Sequence, residues 1–325
     1  MLTVGVDVGG TSVRAGLIDA SGAVLDLRQA RTPGSDEALE DAITSVVTEL
    51  VDDHGASPPG RSGTGVAAVG LAVAGFVAAE RRHVRFSPHL SWRGAPVAER
   101  IERRVGVPVL LEHDANAAAV AEYRFGAIAG AEVAVLLAVG TGIGAALLAG
   151  GRLFRGAHGV APELGHLRVV PDGRPCPCGK RGCWERYCSG TGLVTTALEL
   201  LARHGDRAGP LARQVAADPR GLSGRRVAAA ARDGDAVALG AMAELARWLG
   251  EGLSLVADIF DPEVVVVGGG VAESGPLFLD TAREHYAATL TGSGYRPLAR
   301  IRTSQLGDQA GIVGSALLAR ALIDR

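Results

Sequence analysis

Apolar residues recur along this chain in two periods. Leu2 to Asp7 alternates as a short strand, Gly9-Gly10-Thr11 turns it, and Val13 to Ile18 returns as a second strand, with Ala23 to Gln29 as a third. Ser35 followed by Asp36 and Glu37 predicts a helix start, with an N-cap and acid in the first turn. Leu39, Ile43, Val46, Val47, Leu50 and Val51 then repeat at helical spacing until Gly55. A Pro/Gly/Ser loop spans 55–65, and Val66 to Val73 and Val107 to Leu111 are further buried strands. The pattern repeats: Val133 to Val139 is a strand, Gly140-Thr141-Gly142-Ile143-Gly144 a glycine turn, and Ala145 to Leu148 a return strand. Val264 to Val267 is a continuous apolar strand of the kind buried in parallel sheets, ending in Gly268-Gly269-Gly270. Residues 191–258 read as mainly helical with an irregular polar stretch near 203–224, and Ile312 to Ile323 is a last helix.

Two copies of one strand, glycine-threonine turn and strand unit, each opening an α/β segment, predict a duplicated α/β fold with a cleft between its halves. Each turn can expose backbone N–H groups toward a phosphate, although a glycine turn in a hairpin can equally be only a turn. The triple glycine lets a ligand ring or phosphate approach the backbone closely. The expected domains are 1–113 plus 312–325 as a small α/β domain and 114–311 as a large one, hinged near Asp114.

Composition narrows the function classes. The chain has 325 residues, enough for two domains, and 46 glycines with no collagen-like period. Net charge is −2 with no long Lys/Arg run, so nucleic-acid binding has no electrostatic footprint. No apolar run reaches membrane-spanning length and no secretory signal is legible, so a cytoplasmic protein without a membrane partner is expected.

All four cysteines, Cys176, Cys178, Cys183 and Cys188, fall within thirteen positions of a Gly/Pro-rich loop, with His166 just upstream. That composition suits tetrahedral zinc better than disulfides, which a large cytosolic domain would not keep. Glu163 and Glu185 bracket the loop, so a structural metal there would order carboxylates. Asp114, in Glu112-His-Asp-Ala-Asn116, follows a buried strand and begins an alanine-rich helix. It can be an N-cap, or a carboxylate kept ionised by the helix dipole.

Asp7-Val-Gly-Gly-Thr11, Glu112-His-Asp-Ala-Asn116, Gly140-Thr-Gly-Ile-Gly144, Glu163-Leu-Gly-His166, Cys176-Pro-Cys-Gly-Lys-Arg-Gly-Cys-Trp-Glu185, Gly268-Gly-Gly270 and Leu306-Gly-Asp-Gln-Ala-Gly311 occur in this order. Together they resemble the ROK family of bacterial sugar kinases and repressors, especially its actinobacterial-type glucokinases, over essentially the whole chain. The resemblance implies a duplicated actin/hexokinase-like (ribonuclease H-like) two-domain fold with an interdomain active-site cleft. It implies ATP-dependent phosphorylation of a hexose at the 6-hydroxyl, with glucose as the first expectation.

What the resemblance implies residue by residue is as follows. Asp114 is the catalytic base, and Asn116 helps order the helix start. Glu163, Glu185, His113 and the backbone at Gly75 contact the sugar. His166 bridges, with one ring nitrogen on zinc and the other toward the sugar, and Cys176, Cys178 and Cys183 complete the metal shell. Gly9, Gly10, Thr11, Thr141 and Gly142 hold ATP phosphates, Gly268, Gly269 and Gly270 lie against the adenosine, and Asp7 reaches Mg²⁺ through water. ATP, Mg²⁺ and a structural Zn²⁺ are the implied cofactors, and a homo-oligomer, dimer or tetramer, the implied assembly.

Four positions depart from the family pattern. Ser12 stands where lysine is usual, His113 and His89 where asparagine is usual, and Cys188 where a small residue is common. His113 cannot donate and accept in one fork as an amide does, so an altered sugar preference stands beside neutral drift. A four-cysteine zinc site stands beside the three-cysteine, one-histidine site. Competing functions are a kinase for another hexose or an N-acyl amino sugar, a sugar-responsive repressor and a non-catalytic sugar-binding regulator. A first strand at Leu2 leaves no room ahead of it for the repressors' helix-turn-helix. Retention of Asp114, both turns and both carboxylates argues against the non-catalytic regulator.

Overall fold

The computed structural model describes residues 1–55, 65–204 and 209–323. In chain order its strands and helices are β1 (Leu2–Val8), β2 (Ser12–Ile18), β3 (Val24–Arg31), α1 (Asp36–His54), β4 (Val66–Val73), β5 (Phe76–Val77), β6 (Val84–Phe86), β7 (Arg93–Ala95), α2 (Val97–Val105), β8 (Val109–His113) and α3 (Asp114–Phe125). They continue as β9 (Val133–Val139), β10 (Ile143–Ala149), β11 (Arg152–Phe154), α4 (Gly190–His204), α5 (Pro210–Ala217), α6 (Gly224–Arg232), α7 (Ala236–Phe260), β12 (Val264–Gly268), α8 (Leu279–Thr289), β13 (Arg300–Thr303) and α9 (Ala310–Ala319). Most of the expected loop at 55–65 lies outside the described residues. The irregular stretch expected near 203–224 holds the helix α5, opened by Pro210 at its first position.

Two compact units result, one of Met1–Ala131, Ala146–Pro162 and Gln305–Arg325, the other of Glu132–Ala145 and Glu163–Ser304. The sequence pattern put a boundary at Asp114, at the start of α3. The structure keeps α3 in the first unit because α9 packs against it: a Cβ at Gly314 would overlap the Ala117 carbonyl.

The first sheet has the order β3-β2-β1-β4-β8, in which β1 and β2 are antiparallel and β4 lies parallel to both β1 and β8. Every residue of β4 is buried, as befits a central parallel strand with both faces covered. α9 contacts β1 and β4, and it comes so close that a Cβ at Gly5 or Gly70 would overlap the carbonyls of Ile312 or Ser315. The glycine density of this sequence is thus partly a packing device. α1 is capped as predicted: Ser35 Oγ accepts from Ala38 N–H and Gly55 follows the last turn.

The second sheet has the order β11-β10-β9-β12-β13, with β12 parallel to both β9 and β13 and β10 antiparallel to β11. Each sheet therefore follows a meander with two parallel strands, which accounts for the repeated sequence unit. Within the second unit α7 supports the cysteine loop. Trp184, fully buried, donates from Nε1 to the Trp248 carbonyl at 2.7 Å, and a Cβ at Gly252 would overlap the indole.

Candidate active site and metal centre

In the first unit, Asp7 lies on β1 directly opposite Arg14 on β2. Arg14 Nη2 donates to Asp7 Oδ2 at 2.6 Å, and Arg14 Nη1 lies 3.4 Å from Asp308 Oδ2. Burial holds the Asp7 carboxyl above the usual carboxylate range, and the Arg14 guanidinium offsets this only in part. The turn that follows is closed by Gly9 N–H donating to the Ser12 carbonyl at 3.0 Å. It leaves Gly10 and Thr11 exposed, with His89 Cβ 3.5 Å from a Cβ built on Gly10. Gly75 is buried where Phe86 and Ser87 pass close, and a Cβ there would lie 2.8 Å from both the Phe86 carbonyl oxygen and Ser87 Cβ.

Asp114 is the first residue of α3, half-buried, and the cap position belongs to His113, which makes no side-chain capping bond. Asp114 Oδ1 accepts from Ala115 N–H at 2.7 Å and lies 3.2 Å from His113 Nε2. Of the two alternatives the sequence left for Asp114, the N-cap is therefore not the one adopted.

Two residues before it, Glu112 is buried among cationic partners. Arg155 donates to Glu112 Oε2 from Nε at 2.8 Å and Nη2 at 2.6 Å, Arg81 Nη2 stands 3.3 Å away, and Asn116 Nδ2 donates to Oε1 at 2.9 Å. Although burial opposes it, these partners hold the Glu112 carboxyl below its usual range. Arg81 adopts φ 61°, a conformation costing a non-glycine residue about 1 kcal/mol or more, and its Nε donates to the Leu111 carbonyl at 3.3 Å.

In the second unit, the cysteine loop gathers donors as predicted. His166, Cys176, Cys178 and Cys183 offer ligand atoms that all lie within 4.8 Å of one another. Cys178 and Cys183 sulfurs are 3.6 Å apart, and Cys176 Sγ is 3.7 Å from His166 Nδ1. A tetrahedral ion with bonds of about 2.3 Å to sulfur and about 2.0 Å to nitrogen places its ligand atoms about 3.5–3.8 Å apart, so these residues fit zinc. The knuckle is held by Gly179 N–H on the Cys176 carbonyl and Cys176 N–H on the Lys180 carbonyl, at 3.0 and 2.9 Å. Cys188 is buried outside this group, its N–H donating to the Trp184 carbonyl.

His166 presents Nδ1 to the cysteine side and Nε2 toward Glu163, whose Oε2 is 3.9 Å away. Glu185 spans two features. Its Oε1 lies 3.2 Å from Cys176 Sγ and 3.7 Å from His166 Nδ1, and its Oε2 accepts from Ile143 N–H at 3.4 Å in the second glycine turn. That turn is shaped by Gly140 N–H on the Gly142 carbonyl at 2.9 Å and tied to α4 by Gly190 N–H and Thr191 Oγ1, leaving Thr141 exposed. After β12, Gly269 has φ 81° and a Cβ there would lie 2.6 Å from the Val139 carbonyl oxygen, whereas one at Gly270 would meet nothing.

The structure brings Asp7, Gly9, Gly10, Thr11, Gly75, His113 and Asp114 into the first unit, and Thr141, Gly142, Glu163, His166, Glu185, the metal cysteines and Gly268 to Gly270 into the second. Sequence reasoning missed Arg14, Arg81 and Arg155. The first was within reach, because a hairpin turning at 9–11 pairs positions 7 and 14. Arg155 lies 43 residues from Glu112 with no local signal to link them.

The chain belongs to the ROK family, whose model matches residues 3–322. It is 44% identical to a glucokinase of Streptomyces coelicolor over 319 residues, 98% of each chain. Its fold superposes with TM-score 0.87 on a ROK family glucokinase from Streptomyces griseus crystallised with glucose and AMPPNP, at 43% identity, covering 99% of this chain and 100% of that one. A ROK hexokinase from Thermus thermophilus is similar at TM-score 0.76 and 31% identity, covering 100% and 99%. The fold is thus the two-domain actin-like fold of ROK sugar kinases. Among the described residues, no helix is long and apolar enough to cross a membrane.

Proposed function

We propose that this protein is an ATP-dependent glucokinase that transfers the γ-phosphoryl group of ATP to the 6-hydroxyl of glucose. The observation that carries the proposal is near-full-length identity of 44% to a glucokinase, joined to a half-buried Asp114 carboxylate at the start of α3. Phosphoryl transfer has a loose transition state, so positioning and charge stabilisation supply most of the catalysis. Asp114 takes the hydroxyl proton, a task that requires a carboxylate within hydrogen-bond reach of the hydroxyl.

His113 and the Gly75 backbone face the sugar, together with Glu163, His166 and Glu185. Asn116 helps fix the helix start through its bond to Glu112. Gly9, Gly10, Thr11, Thr141 and Gly142 hold the phosphates of MgATP, with Asp7 reaching Mg²⁺ through water. Gly268, Gly269 and Gly270 lie against adenosine, a role supported by the open space over Gly270. His166, Cys176, Cys178 and Cys183 hold a structural Zn²⁺. Bound there, the ion supplies a rigid cross-link between the knuckle and the 3-10 turn Leu164–His166. The chain's own work is to orient Glu163 and Glu185 from either side of that cross-link.

A coupled ADP-release assay over several sugars, beside Asp114→Asn, tests the proposal. Glucose-dependent ADP release that collapses in the variant supports it, and no sugar-dependent release would end it. A second reading, preference for another hexose, is favoured by His113 and His89 standing where the family has asparagine, and the same panel decides it. The proposal includes a homo-oligomer working in the cytoplasm. Exposed Leu255 and Ile259 on α7 and the exposed Tyr295 support the assembly, and light scattering measures it.

A further inference from the structure

Glu112 ends β8 one residue before His113 and two before Asp114. Its side chain is almost wholly removed from solvent, and both oxygens are engaged. Oε1 accepts from the backbone N–H of His113 at 3.1 Å and from Asn116 Nδ2 at 2.9 Å. The first partner is the residue before α3 and the second is its third residue, so Glu112 brackets Asp114 on both sides. With no side-chain cap from His113, this carboxylate ties the helix start through the His113 N–H before it and the Asn116 side-chain amide within it.

The other oxygen answers to distant chain. Arg155, just beyond β11, places two N–H groups on Oε2, and Arg81 approaches from the β5–β6 connection in a left-handed backbone conformation. Leu111 N–H donates to the Arg81 carbonyl at 3.0 Å while Arg81 Nε returns to the Leu111 carbonyl, which fixes Arg81 to the strand carrying Glu112. A buried carboxylate met by two partly buried guanidinium groups adds little to stability compared with apolar packing. What the cluster does supply is geometry, because a planar fork on a carboxylate allows few orientations.

We propose that Arg155, aided by Arg81, is a positioning residue for Asp114: by clamping Glu112 it fixes the β8–α3 turn and so the direction of the Asp114 carboxylate. The inference rests on the assignment of Asp114 as base. Displacing a reacting group by about 1 Å can cost about 100-fold in rate. Arg155→Gln is therefore expected to lower kcat about 10- to 100-fold while leaving the KM for ATP within about twofold, at temperatures well below its unfolding transition.

A double-mutant comparison separates positioning from mere structure. The kinase rate, followed by labelled phosphate transfer to glucose, is measured for wild type, Arg155→Gln, Asp114→Asn and the double variant. If Arg155 acts through Asp114, the double variant is no slower than Asp114→Asn. A folded Arg155→Gln with kcat near wild type overturns the inference, and so does an equal loss in both backgrounds. Should Arg155→Gln not fold, Arg155→Lys is compared in the same two backgrounds and read by the same outcomes. The two readings fail differently. An active Asp114→Asn removes the base assignment and this inference with it, whereas an inactive Asp114→Asn beside an unimpaired Arg155→Gln removes this inference alone.

Discussion

Glu185 leaves no room for a side chain on Gly142: a Cβ at Gly142 would overlap Glu185 Oε2. The obstruction is the tip of a flexible side chain, so the backbone need not move for Gly142→Ala to fold. Glu185 must swing away, losing its bond from Ile143 N–H and its place beside His166. The expected result is a Tm within a few degrees of wild type and a glucose KM raised about tenfold. An unchanged KM would show that Glu185 does not need this position.

Removing the metal tests the cysteine loop. Cys178→Ser, or chelation, is expected to lower the Tm and to weaken glucose binding while AMPPNP binding stays within about twofold, because a structural ion orders its ligands' neighbours. Calorimetry with each ligand reads both arms. Cys188→Ala should retain stoichiometric zinc by elemental analysis, since its sulfur lies outside the ligand group. Loss of metal in that variant would revive the four-cysteine site.

Asp114→Asn keeps the shape of the side chain and its acceptor for Ala115 N–H but cannot accept the hydroxyl proton. A fall in kcat of about 10²–10⁴-fold, with the KM for ATP little changed, is expected from steady-state kinetics.

Asp7 and Glu112 are both largely buried and respond to pH in opposite directions. The Asp7 carboxyl is raised, so its contribution is full below the unfolded value of 3.8 and is lost as pH rises through the folded one. At neutral pH an ionised Asp7 therefore costs stability, and Asp7→Asn should raise the Tm there while impairing activity. The Glu112 carboxyl is lowered, so it stabilises above the unfolded value of 4.5, and that stability disappears as pH falls through the folded one. Glu112→Gln should lower the Tm at pH 7, by roughly 10 °C if leaving the Arg155 and Arg81 guanidinium groups without their anion costs about 3–5 kcal/mol. The gap should narrow below pH 4.5. Thermal scans across pH for the three proteins measure both effects.

Much of this was legible in the sequence because its causes are local. Ser35 and Gly55 bound α1 as their chemistry requires, and the all-apolar run at 66–73 is the central strand β4. The spacing of Cys176, Cys178 and Cys183 keeps three sulfurs within one short loop. The limit of β8 was less legible. Glu112 and His113 look too polar for a buried strand, yet they pair with Ala72 and Val73 of β4.

The sequence by itself determined the apolar runs that make the sheet strands, the repeated glycine-threonine turns and the donor set for a metal. These depend on residues a few positions apart, and backbone sterics and side-chain chemistry decide them directly. Only the tertiary structure decided which partners a buried charge would have. Arg155 meets Glu112, Arg14 shares its charge between Asp7 and Asp308, and Glu185 reaches back to Ile143 across forty-two residues. Such pairs are set by how strands and helices pack, since a buried carboxylate takes whatever cation the fold delivers to it.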